Sequence, residues 1–120
     1  MKQYLFVYGS LRKGFEPPEI AETAEKLKLV GEGFVYGSLY NFGEFRALVL
    51  GKKEKIYGQI LELPFNEETL QKLDEYEGFY PNDLEKNLFI RKQTTAYLGD
   101  EKVQTWVYEY NRDLSNSPIV

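Results

Sequence analysis

The stretch from Val103 to Tyr110 most constrains what this chain can fold into. Written as a strand, whose side chains alternate between faces, it puts Trp106, Tyr108 and Tyr110 on one side and Val103, Thr105 and Val107 on the other. A strand apolar on both faces must be covered twice, so it belongs at the centre of a layered sheet or in a closed one. The wider composition agrees. Nineteen of the 120 residues are Tyr, Phe or Trp, a load that suits packed sheet faces or a pocket better than a helical bundle. The length has room for one domain, 1–120, with one contiguous core.

The rest of the pattern predicts a mixed α/β chain. Gln3 to Tyr8 is a short apolar run closed by Gly9-Ser10, and reads as a buried strand ending in a turn. Pro17 to Leu29 carries Ile20, Ala24 and Leu27 at helical spacing behind a double proline and acidic residues, which suit a helix start. Gly33 to Tyr40 and Arg46 to Leu50 read as strands joined through Asn41-Phe42-Gly43, and Ile56 to Leu63 as a strand ended by Pro64. Asn66 to Tyr76 predicts a helix: Asn66 caps it, Glu67 and Glu68 fill its first turn, and Gly78 lies where the chain leaves it. Phe65 and Leu70 hold the two positions of a hydrophobic staple. Leu88 to Leu98 and Val103 to Tyr110 form a hairpin across Gly99-Asp100, and Ser115 to Val120 carries no structural signal. The hexapeptide Phe-Val-Tyr-Gly-Ser-Leu occurs at 6–11 and again at 34–39, but the flanks differ, so it is no repeat unit.

The zeros narrow the chemistry. Without cysteine there is no disulfide, thiolate nucleophile or thiolate metal site; without histidine there is no Ser-His-Asp triad, imidazole zinc ligand or imidazole base. Acid–base work near neutral pH falls to a carboxylate, a Lys, a Tyr or a bound cofactor. A net charge of -4 with scattered basic residues disfavours nucleic acid, which needs a concentrated positive face. No apolar run approaches the ~20 residues that span a bilayer, and Tyr4 to Tyr8 is too short for a signal-peptide core. These features predict a soluble cytoplasmic protein with no membrane partner.

Three features could carry chemistry. The loop Tyr8-Gly9-Ser10-Leu11-Arg12-Lys13-Gly14 can turn its amides toward an anion, with a hydroxyl and two cations at hand. It is no Walker loop, since Phe15 stands where lysine is needed, and on the residues alone a plain strand-to-loop turn is the better account. Glu77 shares a helix face with Leu70 and Leu73, which would carry its carboxylate toward the core at the helix end least favourable to an anion. Both effects raise a carboxyl pKa, as a base working near neutrality requires; a terminal Glu that frays into water is the plainer account. Asp74 is the rival carboxylate one turn back, where a salt bridge or local hydrogen bond would explain it. The Trp106, Tyr108, Tyr110 stripe could line a pocket or simply fill a core.

Together these motifs resemble the gamma-glutamylcyclotransferase-like (AIG2-like) family. The first is an apolar strand running into Tyr-Gly-Ser-Leu-Arg-x-Gly, matched by Val7 through Gly14. The second is Leu-Asp-x-x-Glu-Gly at a helix end, matched by Leu73 through Gly78. Leu39-Tyr40 and Gly43 to Leu48 between them, and Asn87 to Arg91 and Trp106 to Asn111 after them, extend the resemblance over nearly the whole chain. It implies an α+β fold, a small mixed β-barrel with flanking helices. It also implies a reaction in which the alpha-amine of a gamma-glutamyl group attacks its own side-chain carbonyl, releasing an amine or peptide and closing 5-oxoproline.

Carried over by position, Glu77 is the proton acceptor and donor, and the backbone of Tyr8, Gly9, Ser10 and Leu11 holds the gamma-glutamyl moiety. Such a reaction needs no metal and no cofactor, because proximity and one carboxylate suffice. The expected partner is a small gamma-glutamyl substrate. Three departures bear on the pocket rim and substrate choice: Phe89 where many relatives have Tyr, Arg46 in place of Pro, and a tail from Leu114 to Pro118 without the Ser-Gly-Asp-Trp ending. A non-catalytic small-metabolite binding protein on the same scaffold is the alternative, since a fold alone does not guarantee activity.

Overall fold

The structure is a computed structural model, and it describes residues 2–9, 12, 14, 16–43, 46–51, 54–80, 82 and 87–111. Its elements run β1 (Gln3–Val7), α1 (Pro18–Ala24), β2 (Lys28–Asn41), β3 (Arg46–Leu50), β4 (Glu54–Leu63), α2 (Glu67–Glu77), β5 (Phe89–Leu98) and β6 (Glu101–Tyr110). The strands lie in the order β3-β2-β4-β1-β6-β5, and a further pairing of β2 with β5 closes five of them into a barrel with β3 on its flank. Neighbours are antiparallel except β1 and β6, which run parallel through Leu5 and Trp106.

The two faces of β6 do separate work. Val107 enters a cluster with Phe6, Tyr8, Val35, Leu48, Ile56, Ile60 and Ala96 inside the barrel. Tyr108, one residue on, joins Leu5, Val7, Ile20, Leu61, Leu73 and Phe79 in a second cluster beneath the helices, with Trp106 and Tyr110 packed against it. Alternation along β1 gives the same division, Leu5 and Val7 outward, Phe6 and Tyr8 inward. The barrel closes through one backbone pair, Phe34 with Tyr97, whose rings stack at 5.1 Å. Closure requires Gly33: a Cβ there would sit 2.4 Å from the Tyr97 carbonyl oxygen.

β3 pairs with β2 alone in the backbone ladder, and two side chains tie it to the barrel. The Leu48 N–H donates to the Tyr8 hydroxyl (3.3 Å), and the Leu50 N–H to the Glu109 carboxylate (2.8 Å).

The expected helix over Pro17 to Leu29 is shorter, Pro18–Ala24. Lys28 and Leu29 belong instead to β2, which reaches back to pair with Glu62 and Leu61 of β4 and bulges between Leu29 and Gly31. Local helical spacing there yields to strand pairing. Both ends of α2 match their sequence signals. The Asn66 side chain accepts from the Thr69 N–H and hydroxyl, each at 2.9 Å. Gly78 takes the left-handed conformation (φ 73°), with its N–H donating to Glu75 O and that of Phe79 to Asp74 O, a Schellman ending. The hydrophobic staple does not bury Phe65, which remains 78% exposed. Among the described residues, no helix is long and apolar enough to cross a membrane.

Candidate active site

α2 packs through Leu73 against Leu5, Val7 and Leu61 on the outer face of the barrel, and its last turn carries Glu77 within electrostatic reach of Tyr8, the residue after β1. Glu77 is half-buried, and no described residue hydrogen-bonds its carboxylate. Burial pushes its pKa up to about 7, because little remains to replace the water that would stabilise the anion.

Two buried tyrosines feel that carboxylate. The Tyr8 hydroxyl donates to the Tyr108 carbonyl oxygen at 2.8 Å, and its pKa is raised by burial first and by Glu77 next, against a lowering by the Leu48 amide. The Tyr108 hydroxyl donates to Asp74 Oδ1 at 2.8 Å. Its pKa is raised by burial, by Asp74 and by Glu77, with the Arg91 cation acting the other way. Both phenols therefore stay protonated near neutrality and act as fixed donors.

Asp74 also receives Arg91 Nε at 2.8 Å, so one carboxylate oxygen joins α2 to β5 and β6. The Arg91 guanidinium lies over the Trp106 ring, 4.2 Å from its centroid. Beyond Gly78, the buried Asn87 side chain accepts from the Tyr80 N–H (3.0 Å) and donates to the Tyr80 carbonyl (2.9 Å), clamping the chain that leaves the helix. The C-terminal end of α2 is thus held by its glycine cap, by Asp74 and by Asn87. Glu77 sits on a fixed platform.

The loop after β1 is described in part. Tyr8 and Gly9 lie at the strand end near Glu77; Ser10 and Leu11, named from sequence with them, lie outside the described residues, as does Lys13. The Gly9 carbonyl accepts both the N–H and the Nε of Arg12, each at 3.1 Å, which makes a turn there. The Gly14 N–H donates to the Glu16 carboxylate at 2.6 Å. The described amides of Arg12 and Gly14 are therefore committed within the loop.

Sequence reasoning singled out Glu77 and the strand-end loop but did not assign the Tyr8 and Tyr108 hydroxyls or Arg91. Asp74, weighed as a rival carboxylate, is a salt-bridge residue. The signal for Tyr108 was its place in the aromatic stripe, which is core with one polar tip. Phe89 is buried and meets Tyr110 edge to face at 5.6 Å, so a phenol hydroxyl there would enter packed core. Arg46 is exposed at the start of β3, paired with Asn41, and the tail departures lie outside the described residues. Among the described residues, no three Asp or Glu gather as a metal site.

Comparison with known proteins gives concordant results. The chain is 31% identical over 109 residues to the gamma-L-glutamyl-butirosin B gamma-glutamyl cyclotransferase of Niallia circulans, covering 91% of this chain and 67% of that one. It superposes on an AIG2-like protein from Mus musculus with a TM-score of 0.74 at 21% identity, over 99% of this chain and 86% of the other. YkqA from Bacillus subtilis matches it over its whole length with a TM-score of 0.72 at 20% identity, and the chain spans 38% of that larger protein. These two structural likenesses establish the α+β barrel fold. The sequence model described as gamma-glutamyl cyclotransferase, AIG2-like, matches residues 5–120. The chain therefore belongs to the gamma-glutamyl cyclotransferase, AIG2-like family.

Proposed function

We propose that this protein is a gamma-glutamyl cyclotransferase that releases 5-oxoproline from a small gamma-glutamyl amine, amino acid or peptide, with Glu77 as general acid and base. The observation that carries the reading is the Glu77 carboxyl, half-buried at a rigid helix end beside Tyr8, with its pKa raised to about 7. A group with that pKa takes a proton and returns it at neutral pH with little cost in either direction.

The substrate's alpha-ammonium gives one proton to the Glu77 carboxylate. The freed amine attacks the side-chain carbonyl carbon, forming the C–N bond of a five-membered ring and a tetrahedral centre. Glu77 then returns a proton to the departing nitrogen and the original amide C–N bond breaks; the carboxylate so regenerated takes the surplus proton from the ring nitrogen and passes it to the released amine, so that 5-oxoproline leaves as the neutral lactam and the amine as an ammonium ion. The ring closes within one molecule, so holding the gamma-glutamyl chain folded supplies much of the acceleration. The backbone at Tyr8, Gly9, Ser10 and Leu11 is assigned that holding role. The Niallia relative, named for a gamma-L-glutamyl substrate, supports a gamma-glutamyl donor.

The test is 5-oxoproline release from a panel of gamma-glutamyl amines and dipeptides, comparing wild type with Glu77→Gln. Release by the wild type with a loss of about a hundredfold or more in the variant is expected. Equal release by both proteins removes Glu77 from the mechanism. A wild type that binds panel members but releases no 5-oxoproline favours a binding protein instead.

A further inference from the structure

A concavity lies along α2, running back from Asp74 toward the start of the helix. It has a volume of about 670 Å3 and is walled by Phe65, Glu67, Gln71, Asp74, Arg91 and Trp106, among others. It opens beside Gln3 at the start of β1, whereas Glu77 sits by Tyr8 beyond the other end of that strand.

Its charges are separated along its length. At one end Arg91 uses only Nε on Asp74, and no described residue takes either of its terminal nitrogens. The guanidinium lies over the Trp106 ring and its side chain is 16% exposed, so a new partner there would meet a largely desolvated fork. At the other end Glu67 has no ion-pair partner among the described residues. Glu67 and Asp74 are seven residues apart, nearly two helical turns, which puts them on one face about 10 Å apart along the axis.

A lone anion would meet two carboxylates in this groove, and a lone cation would meet Arg91. A ligand with a cation at one end and a carboxylate at the other satisfies both ends. An extended chain of three residues spans about 10 Å. We propose that this groove binds a short peptide with free termini, about three residues in length. Its carboxylate lies on the terminal nitrogens of Arg91 and its ammonium on Glu67. The full charge of Glu67 outweighs the half positive charge at the helix start. Gln71 faces the peptide backbone, and exposed Phe65 supplies an apolar wall. The site is separate from the Glu77 site and requires no gamma-glutamyl group.

Trp106 is the chain's single tryptophan, so its indole N–H resonance reports on the groove alone. Triglycine is titrated into wild type and into Glu77→Gln, with N-acetyltriglycine and triglycinamide as probes of the two termini. The expected result is a saturable shift of the Trp106 signal with the same affinity in both proteins, and about fivefold weaker binding when either terminus is blocked. Glu67→Gln, an exposed substitution, should abolish the difference between triglycine and its N-acetyl form. No saturable shift, equal binding of free and blocked peptides, or loss of binding in Glu77→Gln each overturns the proposal.

Discussion

In the proposed reaction, Glu77 ties stability and activity to the same proton. Its folded pKa of about 7 lies above the ordinary 4.5, so between these values the folded protein keeps a proton that the unfolded chain has lost. Folding stability is therefore undiminished below that window, falls as pH rises through it, and is level above it. The burial penalty amounts to at most about 3 kcal/mol, reduced by the solvent that reaches a half-buried group. Glu77→Gln removes the ionisation, so thermal unfolding should show the variant more stable than wild type at about pH 8 and matched to it at about pH 4. The same ionisation should appear in kcat/KM, which is expected to rise with pH through a limb near 7 as the carboxylate becomes able to accept a proton. A wild type whose stability has no such slope would place Glu77 in open water.

Asp74 differs in kind. It accepts from both Arg91 and the Tyr108 hydroxyl, so its charge is neutralised where it lies. Tyr108→Phe removes one neutral donor and should cost about 1–2 kcal/mol. Asp74→Asn leaves a largely buried guanidinium without its counter-charge and should cost more, about 3 kcal/mol. Urea unfolding of the two variants checks that order. The residues of this network stand 17 and 34 positions from Asp74, which is why the sequence suggested a salt bridge there but not its partners. Glu77 was legible because its burial follows from the period of a single helix.

Among elements, α2 and β6 were readable because each is governed by short-range rules. A capping Asn, a left-handed Gly and side-chain alternation act within a few residues. α1 was read too long because Lys28 and Leu29 answer to β4, more than thirty residues away. A barrel was expected from the two-faced β6 and from the family resemblance, but the pair that closes it, Phe34 with Tyr97, was not, for the same reason. That seam has no slack at Gly33. A methyl there would lie 2.4 Å from a backbone oxygen and 3.0 Å from Ile60 Cδ1, so one strand must move. Gly33→Ala should destabilise by about 1–3 kcal/mol. Hydrogen exchange should quicken first in the amides around Phe34 and Tyr97. Gly43→Ala, which meets nothing within 4 Å, strains only its own backbone (φ 85°) and should leave the seam protected.

At the scale of the whole molecule, one sheet separates two apolar clusters with different duties. The interior cluster closes the barrel; the outer one binds α2 and so fixes where Glu77 stands. Ile60 and Leu73 are both fully buried, one in each cluster, and cutting either to Ala should cost about 2–5 kcal/mol. Their effects on Glu77 should differ. Ile60→Ala leaves α2 seated on Leu5, Val7 and Leu61, so the near-neutral Glu77 titration should persist in the folded variant. Leu73→Ala removes the helix's own buried anchor one turn before Glu77, admits water beside the carboxyl, and should bring its pKa down toward 4.5. NMR titration of the Glu77 carboxyl carbon in both variants, well below their unfolding temperatures, reads the difference. Equal pKa values would mean that the carboxyl owes its desolvation to the barrel end and the strand-end loop, with the seating of α2 contributing nothing.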